Sequence, residues 1–300
     1  MPSASGFVAK HRRMLAAGLA LIVSLTALGI VLSSGGDPAN GDYAPFADCP
    51  VRNPATDVCI VAQTESGKLI IGKKTISITK TITLQGGIHQ DEASGKQEFI
   101  GAHDGDTLSR TPQAIPGGLL EIVDPKLLSK ALQVQFHGLI DQGATQVMAT
   151  VELAAPAKSI RVSTQNLIEA KGIGLSLPVR VRLSNPFLGG GCYIGSSAHP
   201  IVIRLTTGAT DGSPLHKPGK GKPGHATFKD DYNLITINAD TLLSDSFAAP
   251  RVEGCGGSHA AAVDPAVDAG LGLPAAAGQS EAILNGDLLD ANAPAVRASR

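Results

Sequence analysis

Thr75-Ile76-Ser77-Ile78-Thr79-Lys80-Thr81-Ile82-Thr83-Leu84 alternates with a period of two. Ile76, Ile78, Ile82 and Leu84 share one face, and Ser and Thr take the other. That pattern marks a half-buried strand, because β-branched residues suit a pleated surface. Lys80 interrupts the apolar face, which predicts a sheet edge at that end. Gln85-Gly86-Gly87 predicts the strand's end. The same period recurs in Val147, Ala149, Val151 and Leu153, and in Leu175, Leu177, Val179, Val181 and Leu183. It appears again in Ile201, Ile203 and Leu205. Val58–Val61 and Leu234–Ile237 are shorter apolar runs. Pro178 removes a backbone donor from the third set, which predicts an edge strand or a bulge.

Helical patterns are fewer. Pro125–Val134 predicts one helix, with Asp124 as cap and Pro125 in the first turn. The Ala-rich end, roughly 259–297, predicts one or two short helices broken at Pro265, Pro274 and Pro294. Strands dominate and no regular βαβ alternation or internal repeat occurs. The expected fold is mainly β, an antiparallel sandwich or barrel-like arrangement with few short helices.

Composition narrows the function classes. The 300 residues include 25 Lys+Arg and 26 Asp+Glu, a net charge of -1. A broadly basic nucleic-acid binder is excluded, because its electrostatic footprint would be a Lys/Arg excess. A charged fraction of 17% with 43% hydrophobic residues is not a disordered composition. The chain has no Trp and three Tyr, so the aromatic platforms usual in sugar-binding clefts are scarce.

Residues 1–33 read as an export segment. Lys10, Arg12 and Arg13 precede an uncharged apolar run from Leu15 to Leu32. A basic flank before an apolar core is the secretory pattern. The run also reaches the lower bound of about 17 residues for a spanning helix. The expectation is therefore a signal peptide or an uncleaved signal anchor, the latter a transmembrane helix. The domain after it would be secreted, or anchored on the outer face of the cytoplasmic membrane. Any membrane contact would run through this segment alone. Without its three cations the chain keeps 22 basic against 26 acidic side chains, a net charge of -4. Residues 34–48 read as a polar tether and 49–297 as the exported β-rich domain.

Cys49, Cys59, Cys192 and Cys255 all follow the export segment. An even count in an exported chain reads as disulfides, with three connectivities open. A short Pro-containing loop lies between Cys49 and Cys59, and Gly-rich surroundings flank both Cys192 and Cys255. These contexts favour 49–59 and 192–255. Zinc is disfavoured, because no C-x-x-C pair occurs and no His has ligand spacing to a Cys. Residues 211–225 hold Pro214, Pro218 and Pro223 among Gly and Lys. They predict an exposed, flexible basic loop, neither strand nor helix, that buries little.

Phe46-Ala47-Asp48-Cys49-Pro50, Leu84-Gln85-Gly86-Gly87, Asn185-Pro186-Phe187-Leu188-Gly189, Cys192-Tyr193-Ile194-Gly195-Ser196-Ser197, Leu205-Thr206-Thr207-Gly208 and Gly254-Cys255-Gly256-Gly257 are distinctive strings. Through them the chain, over about residues 44–297, resembles a group of uncharacterised exported proteins of high-GC Gram-positive bacteria. The resemblance implies export. It brings no activity and no catalytic or binding residue.

Candidate chemistry is sparse. Gly67–Lys74 nearly spells a phosphate-binding loop, but Lys74 stands where Ser or Thr should. Its Leu-Ile-Ile interior is strand-like, which predicts a hairpin connection. His103-Asp104-Gly105-Asp106 gathers an imidazole and two carboxylates on a tight turn. A metal there would need further ligands, such as His89, Asp91 or Glu92. No G-x-S-x-G elbow occurs, and Ser196, Ser197 and His199 read as a turn. Lys217, Lys220 and Lys222, with His216 and His225, are cations that could meet an anionic wall polymer, and read as a solvated loop.

The leading expectation is a non-enzymatic exported cell-envelope protein, structural or binding, without a cofactor. The partner would be an envelope component. One alternative is a secreted hydrolase or metal-dependent enzyme using His103, Asp104 and Asp106. Another is a carrier of an apolar ligand, because an Ile/Leu-lined sandwich can enclose one.

Overall fold

The computed structural model describes residues 39–300 apart from Glu92, Pro214 and His216. The export segment 1–33 and residues 34–38 of the tether lie outside the described residues. Fourteen strands follow in chain order: β1 Val58–Ile71, β2 Lys74–Ile78, β3 Ile82–Gln90, β4 Gln97–Gly101, β5 Gln113–Ile115, β6 Val147–Leu153 and β7 Arg161–Val162. Then come β8 Leu175–Ser184, β9 Tyr193–Ile194, β10 Ile201–Leu205, β11 His225–Lys229, β12 Leu234–Ala249, β13 Val252–Glu253 and β14 Ala275–Asn292. The helices are α1 Gly118–Ile122, α2 Lys130–Asp141, α3 Thr164–Glu169, α4 Ala260–Leu271 and α5 Ala293–Ala298.

The strands form two antiparallel seven-stranded sheets. The first runs β11-β12-β14-β1-β3-β4, with β2 also on β1. The second runs β13-β9-β8-β6-β5, with β7 and β10 also on β8. The apolar inner faces of the two sheets contribute to one main core. Thr206 bridges Leu243, so the end of β10 touches β12 at one corner.

The opening run folds as two strands on one side of β1. Ile76 pairs with Leu69, and Leu84 pairs with Ala62. Thr79, Lys80 and Thr81 form the break between them. There the side chain of buried Gln113 replaces a strand partner. Its Oε1 accepts from Thr79 N at 3.0 Å and Lys80 N at 3.2 Å, and its Nε2 donates to Lys80 O at 2.8 Å. Backbone groups left without a strand partner at the break are thereby paired.

Several sequence expectations need correction. Strand β8 lies neither at an edge nor at a bulge, since it pairs with β6 and β7 and with β9 and β10. Pro178 is tolerated because its carbonyl accepts from Ala154 N, just past the last β6 pair, Leu153 with Val179. In an antiparallel ladder a residue's N–H and C=O point to the same side. The missing donor therefore falls beyond the end of that ladder.

The segment read as one helix over 125–134 divides into a 3-10 turn, Pro125–Leu127, and α2. Asp124 caps the turn, and Ser129 Oγ accepts from Leu132 N to start the helix. The Ala-rich end, 259–297, does hold two short helices, α4 and α5, but Pro265 lies inside α4 instead of breaking it, and residues 275–292 between the helices form the longest strand, with β1 and β12 on its two sides. Ala propensity is overridden there by tertiary pairing. Gly286 is needed for the close approach, because a Cβ on it would lie 1.7 Å from Gln63 O.

Residues 39–48 are not a free tether. Gly41–Phe46 is a 3-10 helix, and Phe46 is fully buried in a second cluster with Cys49, Cys59, Leu234, Ala293 and Val296. The expected transmembrane helix is also corrected. Among the described residues no helix is long and apolar enough to cross a membrane, and the run Leu15–Leu32 lies outside them.

The structure joins Cys49 to Cys59 and Cys192 to Cys255, with Cα atoms 5.5 and 4.0 Å apart. The second bond encloses the 211–225 segment, which is less free than expected. Lys222 exchanges two backbone hydrogen bonds with Thr241, and Gly221 N donates to Gly208 O. Lys220 bridges Ala209, and His225 opens β11. His216 and Pro214 lie outside the described residues.

Candidate functional site

The inner faces of the sheets do not close completely. Between them lies an apolar cavity of about 90 Å³. Its wall from the first sheet includes Ala62, Leu84 and Ala282, and its wall from the second includes Ala149, Val179 and Leu205. Alternation puts these residues inward. Ala62 sits opposite Leu84 on one side and Leu288 on the other. Ala149 sits opposite Leu183. Gln113 is a polar member of the lining, and its side-chain amide is engaged by Thr79 and Lys80.

Two carboxylates lie on the same inner face of the first sheet. Asp290 stands opposite Ile60 and Ile235, in register with Leu288 and Leu284. Asp240 stands opposite Gly286. Burial raises the Asp240 carboxyl to about 7, with the charge of Asp287 adding to it. Burial alone raises Asp290 to about 6. Composition gave no sign of either, because only register separates an inward Asp from an outward one.

Beside the cavity lies a polar cleft of about 360 Å³. Leu108 borders both spaces. Buried Glu152 on β6 faces Arg180 on β8, with 3.0 Å between Oε2 and the guanidinium. Arg182 Nε stands 3.5 Å from the other carboxylate oxygen. The Arg180 guanidinium also lies 4.3 Å over the Tyr193 ring, a cation–π contact. Arg180 Nε is buried and has no hydrogen-bond partner among the described residues. Arg110 and Asp106 complete the charged lining.

The sequence candidates are scattered. His103, Asp104 and Asp106 form an exposed turn in which Asp104 Oδ1 accepts from Asp106 N at 2.8 Å. His89 is engaged elsewhere, its Nδ1 2.8 Å from Asp57 Oδ2. The Gln90 N–H and then His89 hold the Asp57 carboxyl below its ordinary value. Asp91 closes a turn by accepting from Ala93 N and Ser94 N, and Glu92 lies outside the described residues. Among the described residues no group of three His, Cys, Asp or Glu could hold a metal ion.

Ser196 and His199 meet a residue that the sequence did not single out, Glu253. Ser196 Oγ lies 3.4 Å from Glu253 Oε1 and also accepts from His199 N. No imidazole nitrogen contacts the hydroxyl in these pairings, so the geometry of an activated nucleophile is not present. Gly67–Lys74 contains the β1–β2 hairpin, with Ile71 opposite Lys74 and the turn at Gly72-Lys73. Compared with protein-family models, curated proteins and solved structures, the chain matches none.

Proposed function

We propose that the chain is an exported binding protein whose inter-sheet cavity receives the apolar end of a small ligand. The cavity is the observation that carries this reading. An unfilled apolar space costs about 24 cal/mol per Å³. For 90 Å³ the chain therefore forgoes about 2 kcal/mol by leaving it open. An apolar group placed there recovers part of that cost. At roughly 30 Å³ for a water-sized group, the space takes about three heavy atoms without moving its walls. A larger ligand must leave the rest of its body outside the cavity. Export rests on the basic flank and apolar run of residues 1–33 and agrees with the two disulfides.

The test is recovery of the protein from its own host, followed by native mass spectrometry and intact-mass measurement. A bound apolar molecule released by organic solvent supports the reading. So does recovery from outside the cytoplasm. Protein found only in the cytoplasm would end the export part. Protein that carries no adduct and takes up no octanol in vitro would end the binding part.

A further inference from the structure

The cavity is too small to hold a whole ligand, and its nearest neighbour is not apolar. Leu108 lines both this cavity and the charged cleft. Its backbone is pinned by the bridge to Leu84 and by hydrogen bonds of Thr107 O and Ser109 N to β3. A passage between the spaces at Leu108 would need only a change of its side-chain rotamer, with no strand unpaired. The cleft's volume falls within the roughly 300–1,000 Å³ of small-molecule sites.

The unengaged donors of the cleft favour an anionic acceptor. The lining carries Arg110 and Arg180 against Asp106 and Glu152, so its formal charges balance, but Arg180 Nε is a buried donor without a hydrogen-bond partner among the described residues. Glu152 is shared by two arginines, and the stacking of Arg180 on Tyr193 holds one of them in place. Arg110 is exposed and has no hydrogen-bond or ion-pair partner among the described residues. A guanidinium without a partner at the mouth of a cleft matches a carboxylate or phosphate by its fork of donors.

We infer that the ligand is an anionic amphiphile, its head on Arg110 and Arg180 in the cleft and its tail end past Leu108 in the inter-sheet cavity. This rests on the binding reading proposed above and specifies the ligand's chemical class. The same head chemistry is offered by a fatty acid and by an alkyl phosphate.

The test uses the oxidised, exported chain and three probes with one tail: octanoate, octyl phosphate and octanol. Titration calorimetry should give octanoate or octyl phosphate at least about tenfold tighter binding than octanol, the scale of a charge-assisted contact. The anion that binds more tightly identifies the head. Arg110→Gln should bring that anion to within about twofold of octanol and leave octanol unchanged. Ala149→Leu, which fills the cavity, should weaken all three probes. Equal affinity for the anions and octanol, with no effect of Arg110→Gln, overturns the cleft assignment but leaves the cavity reading standing. Anions that bind as tightly to Ala149→Leu as to the parent chain overturn the joined site. Failure of every probe to bind overturns both readings.

Discussion

Replacing Ala149 by Val tests whether the space between the sheets is real. Ala149 is almost fully buried on β6 and lines the cavity. The change adds two carbon groups, about 60 Å³ at roughly 30 Å³ each. The cavity of about 90 Å³ admits that volume. Removing two-thirds of the void at about 24 cal/mol per Å³ returns about 1.4 kcal/mol. Ordering a stiff β-branched side chain costs little in a strand, where Val is favoured. The net expectation is a gain of about 1 kcal/mol. A control comes from Ala291, equally buried on β14 but packed in the cluster around the Cys49–Cys59 disulfide. Ala291 is not in the lining of the cavity, so Val there should overpack, at about 1–3 kcal/mol. Urea unfolding with an unchanged m-value measures both. For a domain of this size each kcal/mol moves Tm by roughly 2–4 °C. If Ala149→Val destabilises by as much as Ala291→Val, the space is not available and the reasoning from volume fails.

Three further outcomes follow from the geometry. Asp290 has its carboxyl raised from 3.8 to about 6, so the folded state holds that proton more tightly than the unfolded one, and stability should fall as pH rises from about 4 to 6. Asp290→Asn should therefore raise the urea midpoint at pH 8 by the equivalent of at most about 3 kcal/mol and change it little at pH 4; equal effects at both pH values would refute this. Replacing Cys192 and Cys255 together by Ser opens a 63-residue loop and should cost about 4 kcal/mol in the chain-entropy model, read from thermal unfolding. Replacing residues 219–222 by another linker removes their hydrogen bonds to residues 208–210 and 241, at about 1 kcal/mol each. With five such bonds it should lower stability by about 5 kcal/mol, and Lys220 should resist trypsin in the parent protein; early cleavage there would show the segment undocked.

The strands that alternate strictly were legible because one residue in two must face the core. The break at Lys80 was legible as an interruption, but not the residue that repairs it, since Gln113 lies thirty-three positions away. The two short helices of the Ala-rich end were legible, but the strand 275–292 between them was missed because Ala, Gly and Asn favour no strand on their own. Their conformation comes from β1 and β12 on either side, which a local pattern does not contain. The 211–225 segment was misread for a related reason. Pro and Gly exclude a regular element, but single backbone bonds to Gly208 and Thr241 suffice to dock it. Phe46 marked the start of the domain earlier than Cys49, and the available signal was that residues 34–50 hold no other Phe, Leu, Ile, Val or Met.

The site was legible only in parts. Glu152, Arg180 and Arg182 could be read as outward positions of two strands, but their meeting depends on the register that sets Glu152 opposite Arg180. The cavity depends on three alanines, Ala62, Ala149 and Ala282, that lie on three different strands. Ala is a poor strand former, and each of these inward positions would hold Val or Ile if packing alone decided. One such alanine is an ordinary concession to a crowded neighbour. Three around one unfilled space, in a core otherwise rich in Ile, Leu and Val, are a repeated departure from local preference. Proteins concentrate such departures where function requires them. The alanines and the charged cleft meet at Leu108, so the least well-packed part of the core adjoins the unpartnered Arg110. This coincidence, more than the size of either space, makes the region between the sheets the part of the molecule to test first.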